Sequence, residues 1–307
     1  MRLSVIDLGT HTILLLIADV SRGDFVVVRQ EQRIVGLGRG IEKTGMISPD
    51  AFEDTQAALK EYAEIIRALG VEKVRMTATA VLRDAGNAEA VKASLESAGG
   101  IPVTVLSGEE EARLVYLAGT HAFPEITGAT VIDIGGGSVE FVQGQGEKVS
   151  RLISLPLGVV KMTERFIRHF PTPQSELDLL VAHLRKEFAA NLRDFKRQGE
   201  TRLIGVAGTF TTAAAMILGL RAYDPARITG CIIRKEDAAA WLNRVASLGI
   251  EEQKKIPGLH PKRAGFIVAG FVLVSAFFDL FGVDRITVSD QGLRFGVLLD
   301  WIGKDRI

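Results

Sequence analysis

The chain has 307 residues, of which 47% are hydrophobic and 24% are charged. It is long enough for two globular domains, and this composition excludes a largely disordered protein. Lys plus Arg and Asp plus Glu both number 37, so the net charge offers no general attraction to nucleic acid or to an acidic membrane surface. The single cysteine excludes an internal disulfide and a zinc site built from thiolates.

Two apolar stretches are too short or too interrupted for a membrane protein. Residues 264–278 carry no charge, but they fall short of the roughly 20 residues that span a bilayer. Asp7 and Gly9 interrupt the apolar N-terminal run, where a signal peptide needs continuity. We therefore expect a cytoplasmic protein whose partners include neither a membrane nor a nucleic acid.

Hydrophobic patterns and turn residues predict the elements of the first 120 residues. Strands at 3–8, 13–20 and 25–30 are separated by Gly and Asp turns, which favours three consecutive antiparallel strands. Ser48 followed by Pro49 predicts the start of a helix that runs to about Leu69. There follow a strand at 72–78, a helix at about 87–97, a strand at 102–106 and a helix from Gly108.

The same order of elements starts again after Pro124. The predicted elements are strands at 129–134, 139–144 and 149–154, helices from about Val159 and Gln174, a strand at 202–207 with a helix after it, a helical region at about 235–281, a strand at 284–288 and a last helix from about Asp290. Three strands followed by alternating helices and strands predict an α/β fold of two lobes, each a mixed sheet with packed helices. The boundary is expected near residues 119–128.

The central motif is the stretch 131–141, in which an apolar strand leads through Asp133 into three glycines and out into a second strand with Glu140. Glycines let backbone N–H groups approach an anion, and Ser138 adds a hydroxyl, so the turn is suited to a phosphoryl group. Asp133 and Glu140 are hard oxygen ligands of the kind that hold Mg²⁺ beside phosphates. The alternative is an ordinary hairpin turn capped by Asp133. The candidate phosphate-binding residues of this loop are Gly135, Gly136, Gly137 and Ser138.

A second copy of this motif begins at Val5, where Val-Ile-Asp is again followed by an apolar residue and a glycine. The repeat indicates an internal duplication with a phosphate loop in each lobe and a cleft between the lobes. Asp7 is the carboxylate of this copy, and His11 either donates to phosphate or is a simple turn histidine. The candidate phosphate-binding residues of the loop are Gly9, Thr10, His11 and Thr12.

Three acidic residues open the helix that starts at Gly108. Ser107 and Glu110 match a capping box, and acids in a first turn complement the helix dipole. Glu111 has no such explanation, because helical spacing aligns it with the inward-facing Leu114. A carboxylate on an apolar face has a raised pKa and is a candidate general base for water. The alternative is a buried partner of an arginine.

Two further segments carry candidate phosphate ligands. Arg83 follows a strand end rich in hydroxyls and either clamps a phosphate or is a surface arginine. Gly208 and Thr209 lie between a strand and a helix, where the helix N-terminus attracts anions. The chain contains neither a Gly-x-Ser-x-Gly elbow nor a Gly-x-x-x-x-Gly-Lys-Ser/Thr loop. We therefore expect phosphoryl transfer to water.

Together these motifs resemble the exopolyphosphatase and guanosine pentaphosphate phosphatase family of the sugar kinase, Hsp70 and actin superfamily. The resemblance covers essentially the whole chain. The matching segments are 7–12, 78–87, 107–113, 133–140, 155–158, 207–209, 257–259 and 289–294.

The resemblance implies a fold of two ribonuclease H-like lobes of the actin-like ATPase kind, with the active site in the interlobe cleft. It assigns residues 1–120 and about 292–307 to the first lobe and residues 121–291 to the second. The implied reaction is release of terminal orthophosphate from inorganic polyphosphate or from guanosine pentaphosphate, with magnesium. Glu111 matches the catalytic glutamate, and Asp133 and Glu140 match acids that serve metal and water. With Asp7 they form the predicted metal site.

The chain departs from the family pattern at three positions. His11 stands where Asn is usual, Phe295 where Glu is usual, and Gly265 where Asp is frequent. The chain also lacks the extra C-terminal helical domains of long members, so we expect a homodimer or a preference for shorter chains. A sugar or acetate kinase and a non-catalytic sensor of guanosine tetraphosphate or polyphosphate remain as alternatives.

Overall fold

The computed structural model describes residues 1–195 and 202–305. The chain divides into two compact units, which are Met1–Ala118 with Leu293–Ile307, and Gly119–Gly292. Residues 196–201 and 306–307 of the predicted lobe ranges lie outside the described residues. In the described ranges, no helix combines the length and the apolar character that a membrane span requires.

Unit 1 is built on a mixed sheet in the order β3-β2-β1-β4-β5. The first three strands are antiparallel neighbours, while β4 runs parallel to β1 and β5 runs parallel to β4. The strands are β1 (Arg2–Leu8), β2 (Thr12–Ser21), β3 (Asp24–Ile34), β4 (Lys73–Ala78) and β5 (Val103–Val105). The helices are α1 (Ile41–Thr44), α2 (Pro49–Ala68), α3 (Ala80–Asp84), α4 (Ala88–Gly99) and α5 (Gly108–His121), which ends in unit 2.

Helix α2 covers one face of this sheet. Ser48 caps the helix through Ala51 N, and Pro49 occupies its first turn, as predicted. Tyr62 is fully buried, and its hydroxyl donates to the Ile13 carbonyl of β2 at 3.0 Å. The core of unit 1 therefore lies between α2 and the alternate apolar residues of β1 and β2.

Unit 2 is built on a mixed sheet in the order β10-β11-β9-β6-β7-β8. Its strands are β6 (Gly128–Ile134), β7 (Val139–Gln145), β8 (Lys148–Leu155), β9 (Arg202–Val206), β10 (Ile232–Arg234) and β11 (Arg285–Val288). Its helices are α6 (Val159–Phe166), α7 (Gln174–Asn191), α8 (Ala207–Ile217), α9 (Pro225–Ile228), α10 (Lys235–Ala246), α11 (Ile250–Gln253) and α12 (Ile267–Phe281), with a 3₁₀ turn at Pro261–Arg263. Helix α13 (Leu293–Asp305) then returns to unit 1, where it contacts β1 and β2.

The two sheets repeat one plan. In each, the first strand pairs antiparallel with the second and parallel with the strand that follows a helix. This is the strand order of a ribonuclease H-like domain, and it confirms the predicted α/β class with two mixed sheets and packed helices. Helix α12 is apolar on every side because it lies in the core of unit 2, where Phe277 packs 5.2 Å from Phe141 between ring centroids.

Several predicted details were wrong. The helical region at 235–281 is interrupted, because Gly258 adopts φ +85° and Pro261 opens a 3₁₀ turn. The short helix α3, which carries Arg83, was not predicted. The last helix begins at Leu293, three residues later than predicted, and the short strand β10 was missed.

Candidate active site

The loop after β1 is a tight turn closed by its own glycine. Gly9 N donates to Thr12 O at 2.9 Å, and a Cβ at Gly9 would lie 3.1 Å from that oxygen. The loop carbonyls are bound from behind by the segment that follows β3: Gly38 N donates to Thr10 O at 2.8 Å, and Gly36 N donates to His11 O at 3.0 Å. The backbone of this predicted phosphate loop is thus held from one side.

The loop after β6 has the same construction. Gly135 N donates to Ser138 O at 3.0 Å, and the start of α6 binds the loop carbonyls. Val159 N donates to Gly135 O at 3.0 Å and Val160 N to Gly136 O at 2.9 Å. Within the described residues, the N–H groups of Gly136, Gly137 and Ser138 donate to no protein acceptor. Three adjacent N–H groups without a protein acceptor are what the predicted phosphate loop requires.

Two glycines outside the predicted phosphate loops make these loops possible. A Cβ on Gly158 would lie 2.3 Å from the backbone of Gly136, and a Cβ on Gly38 would lie 2.3 Å from Thr10 Cγ2. Each glycine lies in the segment that follows the third strand of its unit. No role was predicted for either glycine, although an alignment of the two repeats beyond their first loops would have paired them.

Asp133 and Glu140 lie side by side in unit 2. They are direct partners in the antiparallel ladder of β6 and β7, so both side chains are on the same face of the sheet. Asp133 is 6% exposed and Glu140 is 1% exposed. Ser154 Oγ on β8 donates to Glu140 Oε1 at 2.7 Å. Asp133 and Glu140 therefore present two adjacent hard oxygen ligands on one face of the sheet.

Asp7 occupies the equivalent place in unit 1 but has different neighbours. Its ladder partners are Leu14 on β2 and Thr77 on β4. Its Oδ1 is buried and has no hydrogen-bond partner in the part of the chain that the structure describes. Burial and the nearby Glu111 raise the pKa of Asp7 to about 7, and Arg294 opposes them. Asp7 is therefore a carboxyl whose pKa lies far above that of an exposed aspartate.

Glu111 and Arg83 form a buried ion pair in unit 1. Arg83 Nη1 donates to Glu111 Oε2 at 2.7 Å and to the carbonyl of Leu106 at 2.8 Å. Glu111 is 6% exposed. Burial raises the pKa of Glu111, although the Arg83 guanidinium opposes this change. The structure therefore brings the predicted general base and the predicted phosphate-binding arginine into contact. This contact is also the one expected in the alternative, in which Glu111 is the buried partner of an arginine.

The surroundings of Glu111 agree with the predicted helix face. Leu114 is 4% exposed, so the apolar stripe of α5 does turn inward. Glu110 Oε2 accepts from Ser107 N at 2.9 Å, and Ser107 Oγ accepts from Glu110 N at 3.2 Å. This confirms the capping box. Glu111 is thus set apart from its acidic neighbours by burial.

Gly208 and Thr209 lie in the first turn of helix α8 and not in a turn between the strand and the helix, which corrects our prediction. Helix α8 begins directly at Ala207, a non-glycine residue with φ 65°. Thr209 Oγ1 donates to Ile134 O at 3.0 Å, which ties α8 to the end of β6. Strained backbone of this kind costs about 1 kcal/mol or more and is often found at functional sites.

Arg263 is a further candidate that sequence analysis missed. Its Nη1 donates to Gly208 O and to Thr212 Oγ1. A Cβ on Gly208 would lie 2.7 Å from the guanidinium, so only glycine permits this approach. No described carboxylate pairs with Arg263, and its positive charge at the start of α8 suits a phosphate. Sequence spacing gave no signal, because 55 residues separate Arg263 from Gly208.

Two of the family departures have local explanations. Gly265 adopts φ +84°, and a Cβ there would lie 3.1 Å from Ile250 Cδ1 and 3.5 Å from Phe170 Cζ, so an Asp would be strained and surrounded by apolar atoms. Phe295 is 2% exposed and its ring centroid lies 6.1 Å from that of Phe25. Both residues therefore fit the packing around them.

The described residues contain no group of three or more His, Cys, Asp or Glu that could hold a metal ion by themselves. A magnesium ion does not require such a group, since it is usually held by one or two carboxylates together with water and substrate phosphates. Asp133 and Glu140 supply two such carboxylates in unit 2.

Comparisons with known proteins identify the family. The model of the Ppx/GppA phosphatase family matches residues 16–305. Exopolyphosphatase 2 of Mycobacterium tuberculosis is 33% identical over 98% of this chain and 99% of its own length. A solved Ppx/GppA family member from Aquifex aeolicus is 33% identical with a TM-score of 0.83, covering 100% of this chain and 99% of its own. A solved exopolyphosphatase from Cytophaga hutchinsonii is 27% identical with a TM-score of 0.91, with the same coverage. The chain therefore belongs to the Ppx/GppA phosphatase family, as its motifs predicted, and is a phosphoanhydride hydrolase.

Proposed function

We propose that this protein is an exopolyphosphatase, which releases orthophosphate from the end of inorganic polyphosphate. The observation that carries this proposal is the 33% identity to exopolyphosphatase 2 over nearly the whole of both chains. The glycine loops support it, because their backbone donors recognise a phosphoryl group without reading a nucleobase.

Glu111 is the proposed general base. Its carboxylate accepts a proton from water while the water oxygen attacks the terminal phosphorus, and the bond from phosphorus to the bridging oxygen breaks. Orthophosphate and the shortened chain are the products. Burial raises the pKa of Glu111, and a carboxylate with a raised pKa is a stronger proton acceptor. Arg83 holds the carboxylate through its 2.7 Å contact.

The loop from Gly135 to Ser138 is the proposed binding site for the terminal phosphate. Its three adjacent N–H groups have no protein acceptor within the described residues, and the start of α6 holds the loop carbonyls from behind. Arg263 at the start of α8 adds a positive charge in the same unit. Phosphoryl transfer depends mainly on such positioning and charge neutralisation.

Magnesium is the proposed cofactor, and the donor set of unit 2 fits it. Asp133 and Glu140 are buried, adjacent and hard, and their mutual repulsion is relieved by a cation. When bound, Mg²⁺ neutralises charge on the phosphate oxygens. The role of Asp7 as a third ligand remains a prediction.

The cytoplasmic location and the homodimer are likewise part of the proposal, and light scattering of the purified protein tests the dimer.

The decisive experiment measures orthophosphate release from long polyphosphate, from tripolyphosphate and from guanosine pentaphosphate, with magnesium and with EDTA. We expect release from polyphosphate that EDTA abolishes. Faster release from guanosine pentaphosphate would favour a guanosine pentaphosphate 5'-phosphohydrolase. Binding without release would favour a sensor, and phosphate transfer from ATP to an added acceptor would favour a kinase.

A further inference from the structure

Ser154 lies next to Glu140 in a row of polar side chains that crosses three strands of unit 2. Glu140 on β7 is the ladder partner of Asp133 on β6 and of Ser154 on β8. Direct ladder partners point to the same face of a sheet, so the three side chains are adjacent. The hydroxyl of Ser154 donates to Glu140 Oε1 at 2.7 Å.

We propose that Ser154 is a positioning residue for the proposed reaction, acting through Glu140. The terminal torsion of a glutamate is broad, so a carboxylate without a fixed donor turns freely about its last bond. A hydroxyl bound to one oxygen removes this freedom and fixes the direction of the other oxygen. Ser154 thereby holds the Glu140 carboxylate in one orientation. The inference rests on the proposed function, in which Glu140 serves the reacting phosphate.

The duplicated unit shows that this pair is not a requirement of the fold. In unit 1 the same row consists of Asp7, Leu14 and Gln32. The aspartate is kept in both units, while the glutamate and the serine occur together only in unit 2. A sheet of this plan is therefore stable with leucine in the glutamate position. Strand association therefore does not require the pairing of Glu140 with Ser154, which leaves the pair available for the proposed reaction.

Strand β8 also offers a matched control. Ser150 lies on the same strand, and its hydroxyl donates to the backbone carbonyl of Gln143 at 3.0 Å. Ser150→Ala removes one side-chain oxygen from β8, as Ser154→Ala does, but it leaves the hydrogen bond to Glu140 in place. Any effect of Ser154→Ala that Ser150→Ala shares is structural.

The test compares kcat and KM for polyphosphate in wild type, Ser154→Ala, Ser154→Thr and Ser150→Ala. A hydrogen bond to a charged group is worth enough for a loss of about 10-fold or more in kcat. We expect this loss in Ser154→Ala with KM nearly unchanged. Ser154→Thr, which keeps the hydroxyl, should restore most of the activity, and Ser150→Ala should match wild type. A Ser154→Ala variant with wild-type kcat would overturn the inference while leaving the proposed function intact.

Crystal structures of wild type and Ser154→Ala provide a readout that does not depend on activity. We expect the Glu140 carboxylate to be in one orientation in wild type and rotated or split between two orientations in the variant. An unchanged single orientation would overturn the inference even if wild type released no phosphate from any substrate. Absence of release from wild type would by itself count against the proposed function only.

Discussion

The buried carboxyl of Asp7 gives unit 1 a pH-dependent stability that can be measured directly. Its pKa rises from an ordinary value near 3.8 to about 7, mainly because of burial. The folded protein therefore keeps a proton that the unfolded chain releases between about pH 4 and pH 7. Stability from this group is full below pH 4 and is lost as the pH rises to 7. The whole difference corresponds to about 4 kcal/mol.

Replacing Asp7 with Asn removes this titration. Asn keeps the size of the side chain but cannot ionise, so Asp7→Asn should be more stable than wild type at pH 8. Between pH 5 and pH 8 the stability difference should grow by about 3 kcal/mol in favour of the variant. Urea unfolding at both pH values, with divalent metal chelated, measures this difference.

An exposed aspartate on the next strand serves as a control that does not titrate in this window. Arg2 lowers the pKa of Asp19 through a hydrogen bond, so its contribution to stability is complete at pH 5, and the stability difference between Asp19→Asn and wild type should be the same at pH 5 and pH 8. A stability difference between Asp7→Asn and wild type that is the same at pH 5 and pH 8 would refute the reasoning for Asp7.

Three further variants test individual contacts. Arg83→Met leaves Glu111 buried without its cation and should cost about 3 kcal/mol in urea unfolding at pH 8; a cost near zero would mean that the ion pair contributes nothing. Gly158→Ala places a methyl group against the backbone of the glycine loop and should cost about 1–3 kcal/mol. The control Gly99→Ala, at a position with no neighbour within 4 Å of a Cβ, should be neutral or slightly stabilising, and equal melting temperatures would contradict the Gly158 contact. Phe295→Glu, which restores the usual family residue, should lower the free energy of unfolding by about 3 kcal/mol because the ring is buried, and an unchanged value would contradict that packing.

The local features of this protein were predictable from its sequence. The glycine loops at Gly9 and Gly135, the capping box at Ser107 and the buried face of α5 each depend on residues a few positions apart. Periodicity and turn chemistry therefore specify them. The internal repeat also predicted two sheets of the same plan, because the same order of strands and helices leads to the same sheet topology.

The contacts that complete the candidate site join residues that are far apart in the sequence. Periodicity and turn chemistry could not predict these contacts. Arg294 comes near Asp7 only because α13 returns to unit 1 after the second sheet is complete. Arg263 reaches Gly208 across 55 residues, through a loop that was predicted as helix. The ion pair of Arg83 with Glu111 depends on the short helix α3. This helix was not predicted, because the residues before it have the pattern of a strand.

The most direct test of the account is the rate of orthophosphate release from polyphosphate by Glu111→Gln. Gln keeps the volume and a hydrogen-bond acceptor for Arg83 but cannot take a proton from water. The control Glu110→Gln changes the neighbouring residue, whose role in the capping box glutamine can fill. We expect kcat to fall by about 100-fold or more in Glu111→Gln and to stay near wild type in Glu110→Gln. A Glu111→Gln enzyme with wild-type kcat would contradict the assignment of Glu111 as the general base.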